Sequence, residues 1–166
     1  DPLLDKTVLV TTTDNDAAGF TIAKLGGATT VSETGTTDTF TVVLDAAPLT
    51  DVVITVTSGD TGEATVDKVS LTFTPANWDA AQTVTVTGTD DAIVDGDQTT
   101  TITLSIDDAN SDNAFDPLAD QTVSVTTTDN DTAGITVSPT SGLTTTEAGG
   151  TATFTVVLGS QPTADV

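Results

Sequence analysis

The stretch "TFTVVLDAAPLTDV" at residues 39–52 determines how the chain is expected to fold. Its residues Phe40, Val42 and Leu44 alternate with Thr and Val, and a short segment rich in Ala, Pro and Asp follows. Side chains on a β-strand point alternately to its two faces, so this spacing buries one face. The stretch therefore predicts a half-buried strand, a turn and the start of a second strand.

The same stretch returns near the end of the chain as "TFTVVLGSQPTADV" at residues 153–166. The first residues, "DPLLDKTVLVTTTDNDAAG" at 1–19, likewise return as "DPLADQTVSVTTTDNDTAG" at 116–134. Each stretch thus returns about 115 residues further along the chain. This spacing predicts a tandem repeat whose unit has about 115 residues, an ordinary domain size.

We predict one complete unit at residues 17–131. Residues 1–16 would then be the last strand of a preceding repeat, and residues 132–166 the first strands of a following one. In the alternative phase, 1–115, the strand near the N-terminus would pair within its own copy. The 17–131 phase requires the strand at 120–128 to lie in the sheet that contains 98–106, and a strand outside that sheet would contradict this phase.

Apolar residues alternate with Thr or Ser along most of the unit, between clusters of Gly, Pro, Asn and Asp. No helical period is present, and the spacing of the runs is typical of a β-sandwich. The predicted strands are seven, at 19–32, 37–45, 50–58, 63–74, 81–88, 98–106 and 120–128, the fourth with a kink.

The composition excludes several classes of function. The chain has 25 acidic residues against three lysines and a net charge of −22, so no basic surface for nucleic acid or an anionic membrane can form. His, Cys, Met and Tyr are absent, which removes imidazole and thiolate metal ligands and any disulfide. No apolar run is long enough for a membrane span, so we expect no direct membrane insertion.

The acidic residues are expected to gather at one end of the sandwich, because successive connections in an antiparallel fold alternate between two poles. Glu33, the segment with Asp60 and Glu63, the loop "TDDAIVDGDQ" at 89–98 and the run 129–131 all fall at the same pole. Calcium is bound by several carboxylate and carbonyl oxygens from flexible loops, whereas zinc favours His and Cys. The sequence therefore favours a calcium site over a merely solvated acidic surface.

Three motifs resemble the Calx-beta domain, an immunoglobulin-like sandwich of sodium–calcium exchangers and long bacterial surface proteins. They are "VSETG" at 31–35, "TDDAIVDGDQ" at 89–98 and "TDNDTAG" at 128–134. Gln98 and Asn130 stand where that family often has acids. The resemblance implies a seven-stranded antiparallel immunoglobulin-like fold and calcium binding, and Asp60 is the contributor we expect from the 59–63 loop. The predicted metal residues are Glu33, Asp60, Asp90, Asp91, Asp95, Asp129 and Asp131.

Two further features have weaker interpretations. The loop at 107–116 begins like an EF-hand but lacks its glycine and its final glutamate, so a polar turn is favoured over a second calcium site. Trp78 is interpreted as an anchor at a corner of the sandwich and not as a platform for a sugar.

These observations predict a calcium-stiffened structural extender in a secreted or cell-surface bacterial protein, of the adhesin or surface-layer type. Its partners would be the neighbouring repeats, with self-assembly through incomplete terminal strands as a further route. A calcium-sensing regulatory module is the main alternative, and a glycan-binding module is the weaker one. We expect no enzyme, no catalytic residue and no organic cofactor, because the paired acids lie in polar loops with nothing apolar to raise one pKa.

Overall fold

The computed structural model describes residues 4–24 and 26–166. Eleven strands and one short 3₁₀ helix (Asp108–Asn110) form within that part of the chain. The strands are β1 (Phe20–Lys24), β2 (Thr29–Ser32), β3 (Thr37–Leu44), β4 (Val52–Ser58), β5 (Ala64–Val66), β6 (Ser70–Phe73), β7 (Gln82–Gly88), β8 (Gln98–Ile106), β9 (Gln121–Thr128), β10 (Ile135–Ser138) and β11 (Thr155–Leu158).

The first nine strands form two sheets. One has the order β1-β3-β7-β5 and the other the order β2-β9-β8-β4-β6. All pairings are antiparallel except that of β2 with β9. This division, with β1 on the first sheet and β9, the last strand of the sandwich, on the second, is that of an immunoglobulin-like sandwich. The predicted all-β sandwich is therefore confirmed.

The core lies between the sheets and follows the alternation in the sequence. Phe40, Val42 and Leu44 on β3 are buried, and so are Ile102 and Leu104 on β8. Threonines occupy most of the intervening positions, where a β-branched side chain suits an exposed strand face. The remaining apolar core residues are Phe20, Val31, Ala46, Val52, Ile54, Val56, Ala64, Leu71, Phe73, Val84, Val86, Phe115, Val123 and Val125.

Two of the seven predicted strands are each divided between the sheets, so the seven-strand count is not confirmed. The predicted strand at 19–32 becomes β1 and β2, separated by Gly26 and Gly27, whose φ angles of 92° and 95° are open to glycine. The predicted strand at 63–74 becomes β5 and β6. Each crossing adds an edge strand to both sheets.

The chain continues beyond the sandwich into a separate hairpin, β10–β11. Its register repeats that of β1 with β3, since Ile135 lies opposite Leu158 as Phe20 lies opposite Leu44. In the sandwich β9 pairs with β8, which places 121–128 and 98–106 in one sheet. The boundaries 1–16, 17–131 and 132–166 stay a prediction.

The predicted terminal strand in 1–16 is not formed over residues 4–16, and residues 1–3 lie outside the described part of the chain. A single strand has nowhere to place its backbone hydrogen bonds without a neighbouring strand. Within residues 4–24 and 26–166, no helix has the length and hydropathy needed to cross a membrane.

Candidate metal centre

Four connections meet at one end of the sandwich, as the alternation of poles predicts. The backbone N–H of Thr89 donates to the carbonyl of Glu63 at 2.9 Å, joining the β7–β8 loop to the start of β5. The N–H of Gly96 donates to Asp129 Oδ2 at 2.8 Å, joining the same loop to the segment after β9. One backbone–backbone bond and one bond from a backbone N–H to a carboxylate thus hold the acidic segments together.

The first carboxylate cluster consists of Glu33, Asp129 and Asp131. Each side chain offers one oxygen, and these oxygens lie within 4.8 Å of one another. Glu33, directly after β2, is only 3% exposed. Asp131 Oδ2 is buried and has no hydrogen-bond partner among the described residues. A buried carboxylate oxygen without a donor is costly, and a bound cation would satisfy it.

The second carboxylate cluster consists of Glu63, Asp91 and Asp95, whose oxygens again lie within 4.8 Å of one another. Glu63 comes from the β4–β5 connection, and the two aspartates come from the β7–β8 loop. Both clusters therefore combine residues that are distant in sequence.

Five of the seven predicted metal residues lie in these clusters, and Asp60 and Asp90 do not. Asp60 Oδ1 accepts from the N–H of Gly62 at 2.8 Å within its own turn. Asp90 Oδ1 accepts from the Asn130 side-chain amide at 3.2 Å. Glu63 takes the place that we expected for Asp60. The sequence placed both acids at this pole, but which one points toward the β7–β8 loop depends on the turn geometry.

The electrostatics of Glu33 reflect crowding of negative charge. The N–H of Asn130 donates to its carboxylate at 2.9 Å and lowers its pKa. Burial and the charges of Asp129, Asp91 and Asp131 outweigh that bond, so the pKa of Glu33 lies above its ordinary value. The folded chain thus disfavours the ionised form of this side chain.

The same crowding affects both clusters. Burial, followed by the charges of Asp95, Asp60, Asp91 and Glu33, raises the pKa of Glu63. Burial and the nearby aspartates, Asp129 foremost, raise the pKa of Asp131. Asp129 differs, because backbone N–H groups, first that of Asp131, lower its pKa. Hydrogen bonds therefore stabilise the charge on Asp129, whereas the charges on Glu33, Glu63 and Asp131 remain poorly compensated.

Two glycines permit this close approach. A Cβ on Gly88, at the end of β7, would lie 2.2 Å from the carbonyl oxygen of Ser32, the residue before Glu33. Gly96 has a φ of 76°, a conformation that other residues rarely adopt, and it presents its N–H to Asp129. The glycines set the spacing of the loops that bear the carboxylates.

The donor set fits calcium. Calcium is bound by six to eight oxygens at about 2.4 Å, so ligands on opposite sides of the ion are about 4.8 Å apart. All six cluster residues offer carboxylate oxygens. The one ion pair among the described residues, Lys68 with Asp67 at 3.1 Å, lies elsewhere.

The two weaker features have structural roles. Asp112, in the 107–116 loop, accepts hydrogen bonds from the N–H groups of Leu49, Thr50 and Ala114, which lower its pKa. This carboxylate therefore anchors a polar turn, as the sequence favoured. Trp78 is partly buried and packs against the core.

No protein-family model matches the chain. No curated protein matches it either. The resemblance to Calx-beta domains therefore rests on the quoted motifs.

Solved structures with a similar arrangement of strands belong to several proteins. Domains 4 and 5 of the S-layer protein SbsC match at 25% identity and a TM-score of 0.45, over 75% of this chain and 60% of that one. The PapD-like domain 7 of human CEP192 matches at 13% identity and a TM-score of 0.47, over 76% and 96% of the two chains. A chaperone–tip adhesin complex of CFA/I fimbriae biogenesis matches at 11% identity and a TM-score of 0.44, over 73% and 61%.

Proposed function

We propose that this chain is a calcium-stiffened structural repeat of the Calx-beta type in an extracellular or cell-surface bacterial protein, such as an adhesin or a surface-layer component. The observation that supports the proposal most strongly is the position of Asp129 and Asp131. They belong to the first carboxylate cluster and also form the link from β9 to the β10–β11 hairpin. A cation held there would act on the junction itself.

The chain's own residues would hold the ion through two groups of loops. Glu33, Asp129 and Asp131 join the ends of β2 and β9, and the second cluster joins the β4–β5 connection to the β7–β8 loop. Bound calcium supplies positive charge that offsets the repulsion between these carboxylates. Fixing the segment that follows β9 would then fix the direction in which the next repeat leaves the sandwich.

The partners that we propose are neighbouring repeats of the same chain. The repeated register of β1–β3 in β10–β11 supports this, because it is the pairing that a second copy of the sandwich would begin with. Self-assembly through incomplete terminal strands is a second route, since an unpaired strand edge can accept a strand from another molecule.

Calorimetric titration with calcium tests the proposal. We expect Glu33→Gln and Asp91→Asn, one change in each cluster, to weaken calcium binding by at least about tenfold, since each removes a charged ligand. Asp79→Asn is the matched control: it removes one exposed acid from the loop between β6 and β7, outside both clusters, and should bind calcium as the parent does. Equal binding by all four proteins, or none by the parent, would exclude this function.

A further inference from the structure

The β7–β8 loop has a second face, which contacts the hairpin segment that follows β11. The backbone N–H of Gln161 donates to the carbonyl of Ala92 at 2.6 Å. Ile93 and Gln161 also form an isolated parallel bridge. The loop that carries the second carboxylate cluster is therefore paired with the following repeat unit by backbone hydrogen bonding.

An apolar contact lies beside this pairing. Val94 lines a cavity of about 460 Å³ together with Ile135, Leu158 and Pro162 of the hairpin. Val94 is 45% exposed, a large fraction for a valine next to three other apolar residues. The side chains on both sides of the cavity thus offer apolar surface that closer docking would bury.

The two faces of the loop are connected through one residue. Asp91 contributes an oxygen to the second carboxylate cluster, and its Oδ1 also accepts a hydrogen bond of 2.6 Å from the N–H of Ile93. Asp95, on the other side of Val94, contributes to the same cluster. The segment that pairs with Gln161 is therefore enclosed between two of the carboxylates that a cation would hold.

We infer that residues 92–94 form the docking surface for the following repeat, and that its occupant is the segment 159–163 of that repeat. The inference rests on the proposed function for one feature: a cation at Asp91 and Asp95 would fix the loop and so favour docking. The backbone pairing and the apolar contact supply the docking itself.

The equivalent segment at the other pole of the sandwich supports this assignment. The Asp45 N–H donates to the Gly19 carbonyl at 2.9 Å, and the Gly159 N–H donates to the Gly134 carbonyl at 2.7 Å, so both copies begin with the same bond. Segment 45–49 thus corresponds to 159–163. Ala47, the counterpart of Gln161 in this segment, is exposed and so is available to the equivalent loop of a preceding repeat.

Spin labels on the 166-residue chain test the docking. The chain has no cysteine, so Thr101→Cys on β8 and Thr136→Cys on β10, both at exposed positions, give two unique labelling sites. With calcium we expect pulsed electron–electron double resonance to report one narrow distribution of distances between the two labels. Gln161→Pro, which deletes the donor to Ala92, should lose that narrow distance while calorimetry shows calcium binding unchanged.

Gln161→Ala is the matched control, because it keeps the backbone N–H and should keep the narrow distance. A broad distribution in the parent with calcium, or a narrow one in Gln161→Pro, would overturn the docking surface. A narrow distance that persists in a chelator would show that the cation does not control the docking. If calorimetry shows that the parent does not bind calcium, the proposed function is overturned instead. This result is distinct from the others.

Discussion

The backbone N–H of Asn130 donates a hydrogen bond of 2.9 Å to Oε2 of Glu33, a residue 97 positions away in the sequence. The side-chain amide of Asn130 donates to Asp90 Oδ1 at 3.2 Å. Asn130 therefore connects the end of β2 with the β7–β8 loop. Of these two contacts only the one to Asp90 requires an amide side chain, since any non-proline residue at position 130 could donate its backbone N–H to Glu33.

Replacing Asn130 with Asp should change stability in opposite directions with and without calcium. The new carboxylate would lose the bond to Asp90 and add charge beside Glu33, so the chelated protein should melt at a lower temperature than the parent. With calcium, the added ligand should strengthen binding and reduce or reverse that loss. Thermal unfolding in calcium and in chelator measures both effects.

Asn110→Asp is the matched control for this change. Asn110 also donates its side-chain amide to an aspartate, Asp107, at 2.8 Å, but it lies outside both clusters. Its destabilisation should be the same with and without calcium. The same calcium dependence in both variants would contradict the role of Asn130 at the candidate site.

Gly88→Ala should destabilise the sandwich next to the first cluster. The added Cβ would lie 2.2 Å from the Ser32 carbonyl oxygen, so β2 and β7 would have to separate. Forcing extra atoms into a packed site costs about 1–3 kcal/mol, measurable by denaturant unfolding. Gly134→Ala, where a Cβ would have no neighbour within 4 Å, should change stability much less. Equal effects would show that this close approach is unimportant.

The chelated protein should lose stability as the pH rises from about 4.5 toward neutrality. The pKa values of Glu33 and Glu63 are raised above 4.5, so the folded chain binds more protons than the unfolded one, and stability falls as the pH rises through the raised values. Asp112 and Asp129 have pKa values below 3.8, so the stability that they contribute is lost as the pH falls through that lower range.

The measurement is the melting temperature between about pH 3 and pH 8 in chelator, which should pass through a maximum on the acidic side. In saturating calcium the acidic maximum should shift toward neutral pH, because protons compete with calcium for the same carboxylates. A stability that rises steadily from pH 5 to pH 7 in chelator would contradict the crowding of charge at this pole.

Removing calcium at low ionic strength should lower the melting temperature, and added sodium chloride should restore part of the loss. The chain carries a net charge of −22, and monovalent salt screens repulsion between exposed carboxylates. It cannot replace the specific ligand bonds, so the recovery should be incomplete. A melting temperature that is insensitive to chelator at low salt would show that calcium does not stabilise this fold.

The alternation of apolar residues was enough to predict the sandwich, because Phe40, Val42 and Leu44 can all be buried only if the stretch is a strand. The alternation could not show where a strand changes sheets. That depends on backbone geometry such as the positive φ of Gly26 and Gly27.

The candidate site was predictable to the level of its pole and not to the level of each side chain. Asp91 and Asp95 belong to a dense acidic loop and are readily identified. The choice of Glu63 over Asp60 depends on the turn in which Asp60 accepts from Gly62. The contact of Ala92 with Gln161 had no signal in the sequence, since it is a bond between backbone groups.

The most direct test of the central claim is anomalous diffraction from crystals grown with calcium. We expect anomalous density between the carboxylates of Glu33, Asp129 and Asp131, and again between those of Glu63, Asp91 and Asp95, with oxygen distances of about 2.4 Å. Density at neither cluster in crystals soaked to saturation would contradict the account. The acidic pole would then be a solvated surface.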